Sequence, residues 1–313
     1  MKIIVHVPAT TANLGPGFDC LGLALQIWNT ITLEESAAGE QVVWRDCPPS
    51  RRVDPSPFDA ACLPPPGQNL ILKAMHIAWA AARVRPPALR VSITNCIPIS
   101  RGLGSSAAAI VGGLVAANAW GGNKLSSDRL LELATEMEGH PDNASAALFG
   151  GLTISATDGP RVTTQRLVPP RAWRAVLFVP AYELVTRRAR AVLPRRIPRA
   201  DAIFNIGRAA LLVHAFGTGD PDALNLAMQD ALHQPYRARL VPGMFELFEA
   251  AQKAGACGVA LSGAGPALIA FAQDAIQAEG VRAAFAKRAR ALGIAGAAHM
   301  TGLSARGAYV RKG

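Results

Sequence analysis
The sequence predicts an α+β fold, and three observations carry that expectation. Strand-like and helix-like segments follow one another without the one-for-one alternation of a doubly wound sheet. Half of the 313 residues are apolar and only 17% are charged, enough to bury a large core and the reverse of a disordered composition. The glycine-rich stretch at 98–109 stands where a strand hands over to a helix, the position in which a loop can carry a ligand. The length fits one large domain or two closely joined ones.

Taken in order, residues 2–7 and 23–34 have strand character, and 69–83 places Ile71, Ala74, Met75, Ala78 and Ala82 on one helical face. Residues 89–94 alternate apolar and polar side chains with period two, as a half-buried strand does. A helix is expected over 105–120, and Ser126, Ser127 and Asp128 are N-cap candidates for another. Beyond Gly151 the pattern restarts: strands at 152–156 and 173–179, helices at 200–217, 220–230 and 244–254, and a strand pair at 258–261 and 267–272. A helix over 275–292 and a strand at 307–310 follow, with a boundary expected within 156–170. Between Cys47 and Gly67 seven of 21 residues are proline, so this insert is expected to loop away from the core.

Composition narrows the function classes. The net charge of +10 invites a nucleic-acid partner, but 26 of the 32 basic residues are Arg in an Ala-rich chain. The densest run, 187–199 with six Arg, has no interleaved aromatic to stack on bases. No nucleic-acid partner is expected. Five cysteines without a C-x-x-C pair suggest neither a disulfide framework nor a zinc cage, and point to a reducing cytoplasm. The first eight residues are too short an apolar run for a signal peptide. Two uncharged stretches, 102–123 and 254–273, approach spanning length, but glycine turns interrupt both and no membrane partner is expected.

The segment Pro98-Ile99-Ser100-Arg101-Gly102-Leu103-Gly104-Ser105-Ser106-Ala107-Ala108 has the physics of an anion cradle. Glycines allow close backbone approach, and the first free amides of the next helix carry the positive end of its dipole. The serines add hydroxyls for phosphate oxygen or Mg²⁺. It matches neither the Walker A loop nor the dinucleotide fingerprint. Two further segments strengthen the signal: 8–19, with Asn13-Leu14-Gly15-Pro16-Gly17-Phe18-Asp19, and 261–266, with Ser262-Gly263-Ala264-Gly265-Pro266.

With these three segments in this order, the chain resembles the GHMP kinase superfamily of small-molecule kinases over essentially its full length. Within it the resemblance is to the branch that phosphorylates homoserine. That rests on Glu138-Gly139-His140-Pro141-Asp142-Asn143, on Thr186 and Arg190 followed by Val192-Leu193-Pro194, and on His233-Gln234-Pro235-Tyr236-Arg237 before Pro242-Gly243. The resemblance implies a two-lobed fold: an N-terminal ribosomal-protein-S5-like lobe over 1–160 carrying the ATP phosphate loop, and a C-terminal ferredoxin-like α/β lobe over 161–313. It also implies ATP and Mg²⁺ as cofactors, L-homoserine as substrate on the route to threonine, a homodimer, and a cytoplasmic setting. A GHMP kinase for mevalonate or a sugar, or a silent binding relative, is the alternative.

The same resemblance assigns roles. Residues 98–108 wrap the ATP phosphates, and Ser106 stands near the metal. Glu132, eleven residues before Asn143, is expected as its partner, with Glu136 and Glu138 as ordinary solvated alternatives. Arg190 and Arg237 hold the substrate carboxylate, with Arg239 in reserve for Arg237. Asn13, Asp19, His140, Asn143, Thr186 and Gly263 line the rest of the pocket, Asp19 facing the ammonium. Arg187 and Arg188 are expected to be solvated. Asn143 stands where some relatives carry an aspartate base, and an amide cannot take a proton. The catalytic set is therefore Asn143, Ser106 and Glu132, with Asp142 as a rival base.

Overall fold
The structure is a computed structural model that describes residues 1–37, 39, 41–53 and 68–312. The proline-rich insert from residue 54 to 67 lies outside the described residues. The first part of the chain runs β1 (Lys2–Asn13), β2 (Gly17–Glu35), β3 (Gln41–Arg45), α1 (Leu70–Ala82), β4 (Leu89–Thr94), α2 (Ser105–Trp120), α3 (Ser127–Glu138), α4 (Asp142–Phe149), β5 (Leu152–Asp158) and β6 (Arg161–Leu167). The second runs β7 (Arg174–Pro180), α5 (Thr186–Ala191), α6 (Arg199–Thr218), α7 (Leu224–Ala227), α8 (Gln234–Arg237), α9 (Met244–Lys253), β8 (Gly258–Leu261), β9 (Leu268–Ala272), α10 (Ala275–Ala291), β10 (Gly296–Gly302) and β11 (Tyr309–Lys312).

The architecture is α+β, with two sheets. In the first, strands run β11-β1-β2-β4-β3, and the β5–β6 hairpin joins through β2. The second has the order β10-β7-β9-β8, which is 4-1-3-2 in its own strand sequence, the ferredoxin-like arrangement. The expected division at 160/161 falls in the turn between β5 and β6, which pair with each other in the first sheet. The sheets change over only after Leu167, and β11 returns to pair with β1. Hydrogen bonding, rather than position along the chain, decides which lobe a strand belongs to.

The two lobes share apolar packing. Along β7 the side chains alternate: Ala175, Leu177 and Val179 join the large core of the first sheet, α1 to α4 and Phe216. Val176 and Phe178 face a second core with α9 and α10. That is the period-two geometry of a strand buried on both faces. No helix among the described residues is long and apolar enough to cross a membrane.

Several elements differ from the sequence expectation. β1 and β2 run to 13 and back to 17, so the N-terminal glycine segment is the turn of a long hairpin. The helix expected over 220–230 is only α7, because the chain there is capped and turned by Asp220 and Asp230. β3, β6 and β10 went unrecognised. β3 pairs parallel to β4, matching Arg45 with Thr94, and two residues further along both strands Cys47 and Cys96 meet in a disulfide, Cα–Cα 5.0 Å. This corrects the expectation of no disulfide: an odd cysteine count does not exclude one pair, and it is the parallel register that aligns these two.

Asn29 ties this corner to β2. It is 5% exposed, and its Oδ1 accepts from the amides of Cys96 (2.7 Å) and Ile97 (3.0 Å) while Nδ2 donates to Asn95 Oδ1. Asn29→Ala leaves both amides without an acceptor. Denaturant titration should show a loss of about 2–4 kcal/mol, at roughly 1–2 kcal/mol per orphaned buried donor.

Candidate functional site
A cavity of about 430 Å³ opens between the lobes. The three glycine segments meet along its wall, backbone against backbone. Ser262 Oγ donates to the Gly102 carbonyl (2.7 Å) and lies 2.9 Å from Thr11 Oγ1. The Gly263 amide donates to Ala12 O, and the Ala267 amide to Arg101 O. Thr10 N donates to Leu103 O. A Cβ on Gly102 would sit 2.3 Å from Ser262 O, so only glycine allows this approach, and its φ of +79° requires glycine too.

Of the segment expected to wrap phosphates, part faces the cavity. Ile99, Ser100, Arg101, Gly102, Gly104, Ser105 and Ser106 line the cavity, and α2 begins at Ser105 behind a left-handed Gly104. Pro98, Leu103, Ala107 and Ala108 are buried behind it and act as framework. The Arg101 side chain reaches the other lobe, donating to Ala181 O (2.8 Å) and pairing with Glu183.

Ser106 Oγ donates to the carboxylate of Glu138, not of Glu132. Glu132 pairs with Arg129 (2.8 Å) one turn away on α3 and is absent from the cavity lining. The reason is where α3 stops. Gly139, left-handed at φ +86°, ends the helix directly after Glu138 and delivers that side chain to the cavity. Burial pushes the Glu138 carboxyl upward, more than its bond from Ser106 and the charge of His140 pull it down.

The start of α4 carries Asp142 and Asn143, both buried. Thr10 Oγ1 donates to Asn143 Oδ1 (2.8 Å), and Asn143 Nδ2 donates to Asp142 Oδ1 (3.3 Å), so the amide has one orientation. Asp142 Oδ1 also takes the Asn143 amide and His140 Nδ1, both at 2.6 Å. Burial opposes charge on His140, but the hydrogen bond and charge of Asp142 outweigh it, so its pKa is raised.

Opposite, Arg190 of α5 grips Asp19 with both terminal nitrogens, Nη1 to Oδ2 at 2.9 Å and Nη2 to Oδ1 at 2.5 Å. Asp19 N donates to Asn13 Oδ1, and Asn13 Nδ2 to Gly263 O. Arg237 is 1% exposed but lines the cavity, donating from Nη1 to Gly263 O (3.1 Å) and from Nε to Ala189 O. Burial and the nearby Arg190 lower its pKa to about 10, leaving it charged at neutral pH. Thr186, at the first position of α5, completes the rim. Arg239 is exposed and outside the cavity, whereas Arg237 lines it; Arg187 and Arg188 are exposed.

The structure thus brings together Asn13, Asp19, Ser106, His140, Asn143, Thr186, Arg190, Arg237 and Gly263, and leaves out Glu132. Sequence reasoning missed part of the cavity lining: the apolar Trp44, Leu70, Ile71 and Ile93, together with Asn69 and Asn95. Asn69 was legible as an N-cap, since its Oδ1 takes the Ile71 and Leu72 amides.

Gly104 is the tightest point. A Cβ there would lie 1.9 Å from Thr10 Oγ1 and 3.0 Å from Asn143 Oδ1, on a backbone at φ +66°. Gly104→Ala should lower stability by more than about 2 kcal/mol in thermal melts, from strain and overpacking together.

Comparison with known proteins agrees with this geometry. Residues 69–151 match the GHMP kinases N terminal domain and residues 212–291 the GHMP kinases C terminal domain. Homoserine kinase of Moorella thermoacetica is 43% identical, covering 91% of this chain and 93% of its own. That of Synechocystis sp. is 40% identical across 100% and 99%. The crystal structure of homoserine kinase from Cytophaga hutchinsonii superposes with a TM-score of 0.87 at 28% identity, covering 99% of this chain and 97% of that one. Leishmania major mevalonate kinase, at 16% identity and a TM-score of 0.69, shares the fold alone. With both domain models matched, the three glycine segments joined around one cavity, and identity of 40% or more sustained across the length of its relatives, the chain belongs to the GHMP kinases, in the family of the homoserine kinases.

Proposed function
We propose that the chain transfers the γ-phosphoryl group of ATP to the side-chain hydroxyl of L-homoserine, yielding O-phospho-L-homoserine on the route to threonine. One observation carries the reading: a single cavity holds a glycine-loop anion cradle at one side and two arginines facing an aspartate at the other. A zwitterionic amino acid matches the second arrangement. Its carboxylate takes the guanidinium fork of Arg190 and Nη2 of Arg237, and its ammonium takes the Asp19 oxygens that Arg190 otherwise occupies. Asp142 places a second carboxylate within 4.8 Å of the Asp19 carboxylate. The apolar lining of Trp44, Ile71 and Ile93 suits a purine ring.

Residues 98–108 supply amides and helix dipole to the ATP phosphates. For Mg²⁺, Ser106 and Glu138 fit: a hydroxyl and a partly buried carboxylate whose pKa is raised gain a cation of the hard, oxygen-preferring kind. When bound, the metal neutralises charge developing on the phosphate oxygens. Asn143, locked between Thr10 and Asp142, orients the substrate hydroxyl. Asp142 Oδ1 already accepts from three donors, which casts Asp142 as a positioning group for His140 and Asn143. The side chains therefore work by position and charge, which a loose phosphoryl-transfer transition state rewards.

A cytoplasmic setting follows from the substrates; there the Cys47–Cys96 bond is open to reduction. A homodimer is consistent with the exposed apolar residues Ile203, Ile206 and Leu211 along α6.

Coupled ADP release with Mg-ATP tests the reading against homoserine, threonine, mevalonate and galactose. Homoserine should lead in kcat/KM by about 100-fold or more, the discrimination that paired charges confer. A preference for mevalonate or galactose overturns the substrate, and no turnover at all leaves a binding relative. Glu138→Gln should lower kcat/KM by roughly 100- to 1000-fold, the scale for losing one electrostatic stabiliser. Glu132→Gln should stay within about 3-fold of wild type, as a surface pair does.

A further inference from the structure
His233 makes no contact with the cavity, yet it sits where it can govern the substrate end of it. The residue is 0% exposed and immediately precedes α8, the turn that carries Arg237. Its ring has two polar partners of opposite kind. Arg237 Nη1 lies 3.2 Å from Nδ1, and Gly15 O lies 2.8 Å from Nε2. A guanidinium only donates and a carbonyl only accepts, so Nδ1 carries the lone pair and Nε2 the proton. Asp230 Oδ2 is further from Nε2, at 3.5 Å, and already accepts the amides of His233 (3.0 Å) and Gln234 (2.7 Å). Burial, and then the charge of Arg237, hold the ring neutral against the pull of Asp230, bringing its pKa down to about 4.

The consequence is a fixed Arg237. Its Nε and Nη1 are committed to Ala189 O, Gly263 O and His233 Nδ1, which leaves Nη2 for a ligand. Phe18 lies against the same assembly: its ring centroid is 5.4 Å from that of His233 and 5.3 Å from the Arg237 guanidinium, with Arg190 at 5.4 Å. Cation–π attraction to one ring thus holds both arginines beside it. From behind, Asn205 of α6 donates to Asp230 (2.8 Å), anchoring the turn that presents His233.

We propose that His233 is a positioning residue for amino-acid specificity: as a neutral Nε2–H imidazole it links the Gly15 turn to Arg237 and aims that guanidinium at the substrate carboxylate. The assignment rests on the reading of Arg237 as a carboxylate ligand. It has two separable requirements, an acceptor at Nδ1 and a donor at Nε2, and amide side chains divide them. Asparagine places an oxygen near the Nδ1 position; glutamine places its amide near Nε2 and offers Arg237 no acceptor.

The test compares homoserine with aminopropanol, the same amino alcohol without its carboxylate. Wild type should favour homoserine strongly. His233→Gln should reduce that preference about 10-fold or more, through the KM for homoserine and with the KM for ATP unchanged, the signature of lost uniform binding. His233→Asn should keep the preference within about 3-fold of wild type. A merely structural role would lower both substrates together and leave their ratio intact, and that result, or identical ratios in the two variants, overturns the proposal. Nitrogen-detected NMR of the wild-type protein reports the tautomer without any variant: a neutral Nε2–H ring at pH 7 supports the assignment, and a protonated or Nδ1–H ring overturns it. Wild-type enzyme that turns over neither compound defeats the functional reading instead.

Discussion
Three stretches far apart in sequence meet around Gly102, and the rest of the site depends on that meeting. The carbonyl of Gly102 takes the Ser262 hydroxyl, the loop around it pairs with Ala267, and the third segment returns a bond to Ala12. Apart from the short Ser262 hydroxyl these are backbone contacts, so the spacing of the three segments is held by peptide geometry and one buried side chain. Phosphoryl transfer needs that kind of constraint. Donor and acceptor must be held in line, and a loosely packed interface would surrender the effective concentration that positioning provides.

The charged groups around this frame have polar partners. Arg190 pairs with Asp19, and the Glu138 carboxylate accepts from the Ser106 hydroxyl. The Arg190–Asp19 pair stands preformed at the cavity wall, held by both oxygens of the carboxylate. Asp142 has a different task. With three donors on one oxygen it is a structural hub, and it fixes His140 and Asn143 at once.

Much of this was legible in the sequence because it lies in local patterns. The strand-to-helix glycine loop, the cap before α3 and the helices α1, α2, α6, α9 and α10 follow from periodicity and turn chemistry. What failed depended on where elements end or pair. Glu132 was favoured by counting back from Asn143, but Gly139 stops α3 and presents Glu138, a signal available in the Glu138-Gly139 step itself. The Cys47–Cys96 bond was invisible because β3 is five residues long and only its register with β4 aligns the two thiols. Trp44 sits on that same strand, so its part of the cavity lining was lost with it. The cavity-lining residues that appear in motifs were legible; those delivered by tertiary pairing were not.

The return of β11 to the edge of the first sheet bears on how the protein is made. Its residues 309–312 hydrogen-bond with β1, the earliest strand, across nearly the whole sequence. During synthesis the N-terminal sheet therefore waits, one edge uncovered, until the second lobe has emerged. The cavity is lined from both lobes, so its wall too is complete only once the second lobe is in place.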